Sequence, residues 1–308
     1  MSGLDEVEIM GNEVGSGPVQ ASAGLIMRDN LASIEKGRQL LEIVLRCFPF
    51  HTPERYGCVE PLKQEFTSDL NDALKSWKEP LFIMAKRSPR FHLMVNFRKP
   101  KSGRDTPPSS ISLFRFDVVP KEGFLAVRDF LCQISEGFGV LYGWAHILTA
   151  TELEGRLADV RRRQPASASS EARKFADDHM RRRIAREGFA PVLRGMITTR
   201  LQLERCLPDL RCFNLFGPEY VKMFGRERLL STPAGEVNEL FNGGVCLSLA
   251  NCLEDNQEAY EEFRLRSQRC KNHLGSDAFC DPDAPSEHRY RVPDLTFMGT
   301  GRFDVKTI

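Results

Sequence analysis

A chain of 308 residues exceeds the usual single-domain size, so two lobes are the expected organisation. Its hydrophobic content of 41% is ample for a buried core. Lys plus Arg (43) nearly cancels Asp plus Glu (42), which excludes a strong global field for nucleic acid or an anionic membrane and leaves only local attraction.

Met1 to Glu13 is acidic and lacks the basic segment and apolar core of a secretory signal. The least polar stretch, Phe138 to Ala150, lies between Glu136 and Glu152 and is too short to span a bilayer, so a cytoplasmic protein without membrane contact is expected. Nine cysteines form no repeated spacing, and Cys47, Cys132 and Cys246 fall on apolar faces of predicted elements. That pattern points to reduced, buried thiols and away from a disulfide framework.

In chain order, residues 1–17 read as a disordered tail, with order beginning near Val19. From Leu31 the apolar positions Ile34, Leu41, Val44, Leu45 and Phe48 recur at helical spacing. A second, polar helix is expected over Leu62 to Trp77, before Pro80. The period then drops to two: Phe91, Leu93, Val95 and Phe97 alternate with His92, Met94, Asn96 and Arg98, as in a strand with one buried face. Leu81–Lys86 and Ser110–Val119 are its expected antiparallel neighbours. Pro120 opens a helix striped by Phe124, Val127, Leu131, Ile134 and Phe138, and Val140–Leu148 returns as an apolar strand. Together 18–160 form an N-terminal lobe.

Residues 161–187 read as a basic linker and helix, because Arg161–Arg163, Gln164, Pro165 and the following Ala and Ser cannot bury an apolar face. A C-terminal lobe, 188–280, contains Gly217-Pro218 at a helix start, an Asn242-Gly243 hairpin between Glu236–Phe241 and Val245–Ala250, and a final helix near Glu258 to Leu274 stopped by Gly275. Residues 281–308 are an irregular tail. The fold class is α+β, with antiparallel sheets and helices packed on one face, in two lobes.

The six histidines are scattered, and no helical His-Glu-x-x-His pair occurs. Cys270, His273 and Cys280 supply three zinc-type ligands without a fourth, so neither metal nor cofactor is expected. Pro293-Asp294 followed by Asp304-Val305-Lys306 resembles the PD-(D/E)xK signature, in which two carboxylates hold magnesium and a lysine supports the attacking water. That alternative, a magnesium-dependent nuclease using Asp294, Asp304 and Lys306, is opposed by a chain that ends two residues after the lysine. Arg161–Arg163 and Arg181–Arg183 could track a phosphate backbone, but interleaved acids and the lack of alternating aromatics favour a solvated face over nucleic-acid binding. Glu254, Asp255, Glu258, Glu261 and Glu262 crowd the start of the last helix. There the helix dipole favours carboxylates and Glu262 can pair with Arg266; the functional alternative is a patch that steers a basic partner.

The string from Asn214 to Pro233 (NLFGPEYVKMFGRERLLSTP), the Glu236–Ala250 hairpin and the segment from Lys271 to Phe279 (KNHLGSDAF) resemble bacterial toxin-immunity proteins, nearest the immunity protein 52 family. The amino-terminal lobe resembles that family in its order of elements. The resemblance implies a non-enzymatic protein that neutralises a cognate polymorphic toxin by stoichiometric binding. Such toxins are often delivered by type VI secretion and are typically nucleases with a restriction-endonuclease-like fold. It transfers no catalytic residues, and Phe213, Tyr220 and Phe224 are expected in the core.

Overall fold

The computed structural model describes residues 20–77, 80–97, 109–118, 124–152, 206–250, 256–281 and 287–294, with a few short pieces between them. In chain order these form β1 (Gln20–Met27), α1 (Ile34–Cys47), a 3-10 turn (Pro49–His51), β2 (Arg55–Gly57), β3 (Gln64–Glu65) and α2 (Leu70–Leu74). Next come β4 (Leu81–Lys86), β5 (Phe91–Phe97), β6 (Ser109–Asp117), α3 (Leu125–Gly137) and β7 (Val140–Leu148). The chain continues as β8 (Phe213–Phe216), α4 (Pro218–Phe224), α5 (Arg226–Leu230), β9 (Glu236–Glu239), β10 (Val245–Ser248), α6 (Gln257–Leu274) and a 3-10 turn (Ser276–Ala278).

All ten strands join one sheet in the order β3-β2-β4-β5-β6-β1-β7-β8-β10-β9. Its pairings are antiparallel, and the class is α+β as expected. The strands of the two expected lobes meet at β7 and β8, where Tyr142 faces Phe216 and Trp144 faces Asn214. Residues 1–17, most of the basic segment 161–187 and much of 281–308 lie outside the described residues.

The two halves of the sheet differ in how many faces they bury. On β5, Phe91, Leu93, Val95 and Phe97 are buried while His92, Met94 and Asn96 are half-exposed, as the alternation predicts. Helices α1 and α3 cover that buried face. Phe48, just after α1, packs on Phe91, Phe116 and Phe130 with ring centroids 5.7, 5.0 and 5.4 Å away. Beyond β1 the second face is also covered. Tyr142 and Phe216 pack under Tyr220 of α4, and His146 packs under Phe263 of α6. The helical layer expected on one face thus extends to both, and Phe213, Tyr220 and Phe224 lie in the core.

Double coverage explains the element that escaped the sequence reading. β1 occupies the middle of the sheet, between β6 and β7, and is buried throughout its described side chains. A strand with two dry faces shows no alternation, only a run of small and apolar residues. Gly24 belongs there because Trp144 of β7 lies across it; a Cβ would approach Trp144 Nε1 to 2.9 Å.

Two further expectations change. The polar helix predicted over Leu62–Trp77 is only α2, because Ser68 takes a left-handed φ of 69° and Asp69 then caps the new helix at Asn71 N. Upstream, Gln64 and Glu65 pair with β2 instead. The disulfide-free reading is also corrected: Cys206 and Cys280 are bonded, 74 residues apart in sequence. A parallel bridge between Leu207 and Phe279 brings them together, with Leu207 N donating to Ala278 O (2.8 Å) and Cys280 N to Leu207 O (2.7 Å). Cys47, Cys132 and Cys246 are free thiols, as expected, but only Cys246 of the three is buried.

Candidate functional site

The segments that carry the family resemblance build one end of the sheet. β8 pairs with β10, β10 pairs with β9, and α4, α5 and α6 wrap the same end. Helix α6 begins at Asn256, whose side chain accepts from Ala259 N at 2.8 Å. Its buried stripe is Phe263, Ser267, Cys270 and Leu274, a spacing that turns Glu258 and Glu262 to solvent and leaves Glu261 partly covered. Glu262 meets Arg266 at 2.5 Å, the one-turn pairing expected from spacing, and Glu261 meets Arg264 at 3.2 Å. Such exposed pairs contribute about 0.3–0.5 kcal/mol each, so they organise the surface more than they stabilise it. Glu254 and Asp255 lie outside the described residues.

The outer strand of this end, β9, carries two more acids. Glu236 pairs with Arg128 of α3 at 3.0 Å. Glu239 is gripped by Arg226, whose guanidinium holds the carboxyl below the usual range. The turn joining β9 to β10 is the Asn242-Gly243 hairpin predicted from sequence. Leu240 N donates to Gly244 O (2.8 Å), Gly243 takes a φ of 79°, and Asn242 Oδ1 accepts from Gly244 N (3.0 Å). Asn242 Nδ2 also donates to the Ser135 carbonyl at the end of α3 (2.5 Å), which fixes the turn against the body of the protein. That anchor leaves the neighbouring Phe241 fully exposed, at 100%. The sequence reading placed Phe241 only as a strand end; its one visible signal is an aromatic residue abutting a turn.

Under the opposite side of β7 lies a buried chain of polar groups that the sequence did not disclose. His146 Nε2 is 2.7 Å from Glu152 Oε2, and His146 Nδ1 is 3.2 Å from Cys212 Sγ. All three residues are buried, His146 and Glu152 completely. Burial alone would lower the His146 pKa, but Cys212 and Glu152 outweigh it and raise it to about 9. The Cys212 backbone N–H also faces Nδ1, at 3.3 Å, and by itself favours a neutral ring, while the 2.7 Å contact to the Glu152 carboxylate holds a proton on Nε2. Order and spacing match a thiol, a base and an orienting acid, but the set is closed to solvent. As placed, it clamps β7 to the helical turn after it and to the residue entering β8.

Of the alternative nuclease residues, Asp294 is exposed, while Asp304 and Lys306 lie outside the described residues. The three imagined zinc ligands are separated in role. Cys280 is in the disulfide, Cys270 is a buried thiol, and His273 Nε2 sits 2.9 Å from the Arg228 carbonyl. Among the described residues no group of three or more His, Cys, Asp or Glu could hold a metal ion. Among them, too, no helix is long and apolar enough to cross a membrane. At the far edge of the sheet, two open grooves of about 470 and 700 Å³ flank the β2–β3 loop; Lys63 lines one, and Arg55, Lys86 and Arg87 line the other.

No family model matches the chain, and no curated protein matches it. Among solved structures, it is similar to one titled Pseudomonas aeruginosa T6SS protein PA0821, at 12% identity and a TM-score of 0.47, over 86% of this chain and 85% of that one.

Proposed function

We propose that the chain is a non-enzymatic immunity protein that neutralises a cognate bacterial toxin, in the setting of type VI secretion, by binding it stoichiometrically. The contact surface in this reading is the end of the sheet formed by the β9–β10 hairpin and α6. The observation that carries it is Phe241, a wholly exposed aromatic on a turn pinned by Asn242 to Ser135, within a segment that resembles the immunity protein 52 family. A large apolar side chain on a rigid support loses little entropy on burial and suits the centre of a protein interface. Glu258, Glu261 and Glu262 on α6, with Glu254 and Asp255 preceding them in sequence, would speed encounter with a basic partner such as a nuclease groove. A complex of ordinary size would bury about 1,600 Å² in total.

The test is to express, in a bacterial host, the toxin encoded beside this gene, with and without the full chain. Restored growth together with a one-to-one complex supports the proposal. A toxin that kills equally in both strains and elutes apart from this protein overturns it.

A further inference from the structure

Two free thiols face each other across the layer between helix and sheet. Cys132 on α3 and Cys246 on β10 lie with their sulfurs 3.8 Å apart, although 114 residues separate them in sequence. Cys132 is partly exposed and Cys246 is buried. A disulfide needs the sulfurs at about 2.05 Å, so closure requires an approach of roughly 1.8 Å. Among the described residues no other pair of free cysteines lies in sulfur–sulfur contact.

We propose that Cys132 and Cys246 are a redox-active dithiol that closes to a second disulfide when the protein meets a peroxide. The chemistry is asymmetric. Cys132 is the partly exposed partner that an oxidant can reach; its contact with Cys246 lowers its pKa against the opposing effects of burial, Asp129 and Glu136, with Arg128 one turn earlier adding to the lowering. The same contact, together with burial, pushes the Cys246 thiol up. Because Cys132 is partly exposed and Cys246 is buried, Cys132 is the attacking thiolate and Cys246 the resolving thiol. In the first step the Cys132 sulfur attacks hydrogen peroxide; the O–O bond breaks, a sulfenic acid forms and one water is released after proton transfer. In the second, the Cys246 sulfur attacks the sulfenic sulfur, the S–O bond breaks, and the hydroxide leaves as a second water with the Cys246 proton. Two thiols and one peroxide give one disulfide and two waters.

The consequence is mechanical. β10 is the inner strand of the hairpin whose turn is already held to the end of α3 through Asn242 and Ser135. A covalent link between β10 and α3 adds a further anchor to that hairpin, which carries Phe241, beside the Asn242–Ser135 bond and the Glu236–Arg128 pair.

The full-length protein would be treated with hydrogen peroxide, its remaining thiols alkylated, and the digest examined by mass spectrometry. The expected result is a linked peptide containing Cys132 and Cys246, an intact mass lower by two hydrogens, and a thermal midpoint above that of the untreated protein. In the Cys132→Ala variant, whose change is at a partly exposed site, neither the linked peptide nor the rise in midpoint should appear. Oxidation of Cys132 to sulfinic or sulfonic acid without a linked peptide overturns the proposal. So does pairing of Cys132 with Cys47 or Cys58 in place of Cys246, or a Cys132 that stays reduced while Cys47 and Cys58 are oxidised.

Discussion

His146 illustrates how a single side chain couples distant parts of this fold. Its contacts reach Glu152 in the turn after β7 and Cys212 before β8, so it ties together the strands at the seam of the sheet. Breaking a buried charged pair costs about 3–5 kcal/mol. His146→Gln should therefore lower the urea midpoint sharply. The pH dependence has a definite sign. The folded pKa of about 9 exceeds the ordinary 6.5, so between these values the folded state holds a proton that the unfolded state releases. The contribution is complete below pH 6.5 and is lost as pH rises through 9. Wild-type stability, followed by denaturation from pH 6 to pH 9.5, should fall more steeply than that of the variant.

At the scale of elements, the approach of β8 and α4 to β7 depends on one position without a side chain. Gly217 ends β8 and caps α4, its N–H bonded to the Leu141 carbonyl at 2.9 Å. A Cβ there would overlap the Val140 carbonyl oxygen, which is backbone and cannot swing aside. Gly217→Ala should cost about 3 kcal/mol through forced displacement of the strand, read as a drop in thermal midpoint. The hairpin makes the opposite case. Phe241 touches solvent alone, so Phe241→Ala should leave stability within about 0.5 kcal/mol. If the hairpin is the contact surface, the same change should weaken the complex with the toxin by about 2 kcal/mol, measurable by calorimetry. Reversing Glu258, Glu261 and Glu262 to Lys should slow association with a basic toxin and reduce its dependence on salt; an unchanged rate would remove the acidic helix face from the interface.

Across the whole molecule, the Cys206–Cys280 bond joins the approach to β8 with the exit from α6 and closes a loop over a separation of 74 residues. Cross-links of that span stabilise by roughly 2–4 kcal/mol, chiefly by restricting the unfolded chain. Cys206→Ala with Cys280→Ala should lower the denaturation midpoint by a corresponding amount, whereas Cys270→Ala, at a thiol outside that bond, should act only through local packing. The pairing of β7 with β8 makes the C-terminal end continuous with the rest of the sheet.

What could be read from residues alone was what local chemistry dictates. α1, α6, the β4–β5 pair and the Asn242-Gly243 hairpin each carry their own period, cap or turn residue, and each formed where its pattern placed it, while α3 begins at Leu125 and the expected opening at Pro120 lies outside the described residues. What could not be read depended on partners remote in sequence. β1 lost its alternation because helices and strands cover both its faces. Cys206 and Cys280 met because Leu207 bridges Phe279, and Cys132 and Cys246 met because α3 lies across β10. The His146–Glu152–Cys212 chain required β7 and β8 to be neighbours. Backbone periodicity is a property of a few adjacent residues, whereas contacts between layers arise only after the sheet has chosen its strand order, and no local pattern encodes that choice.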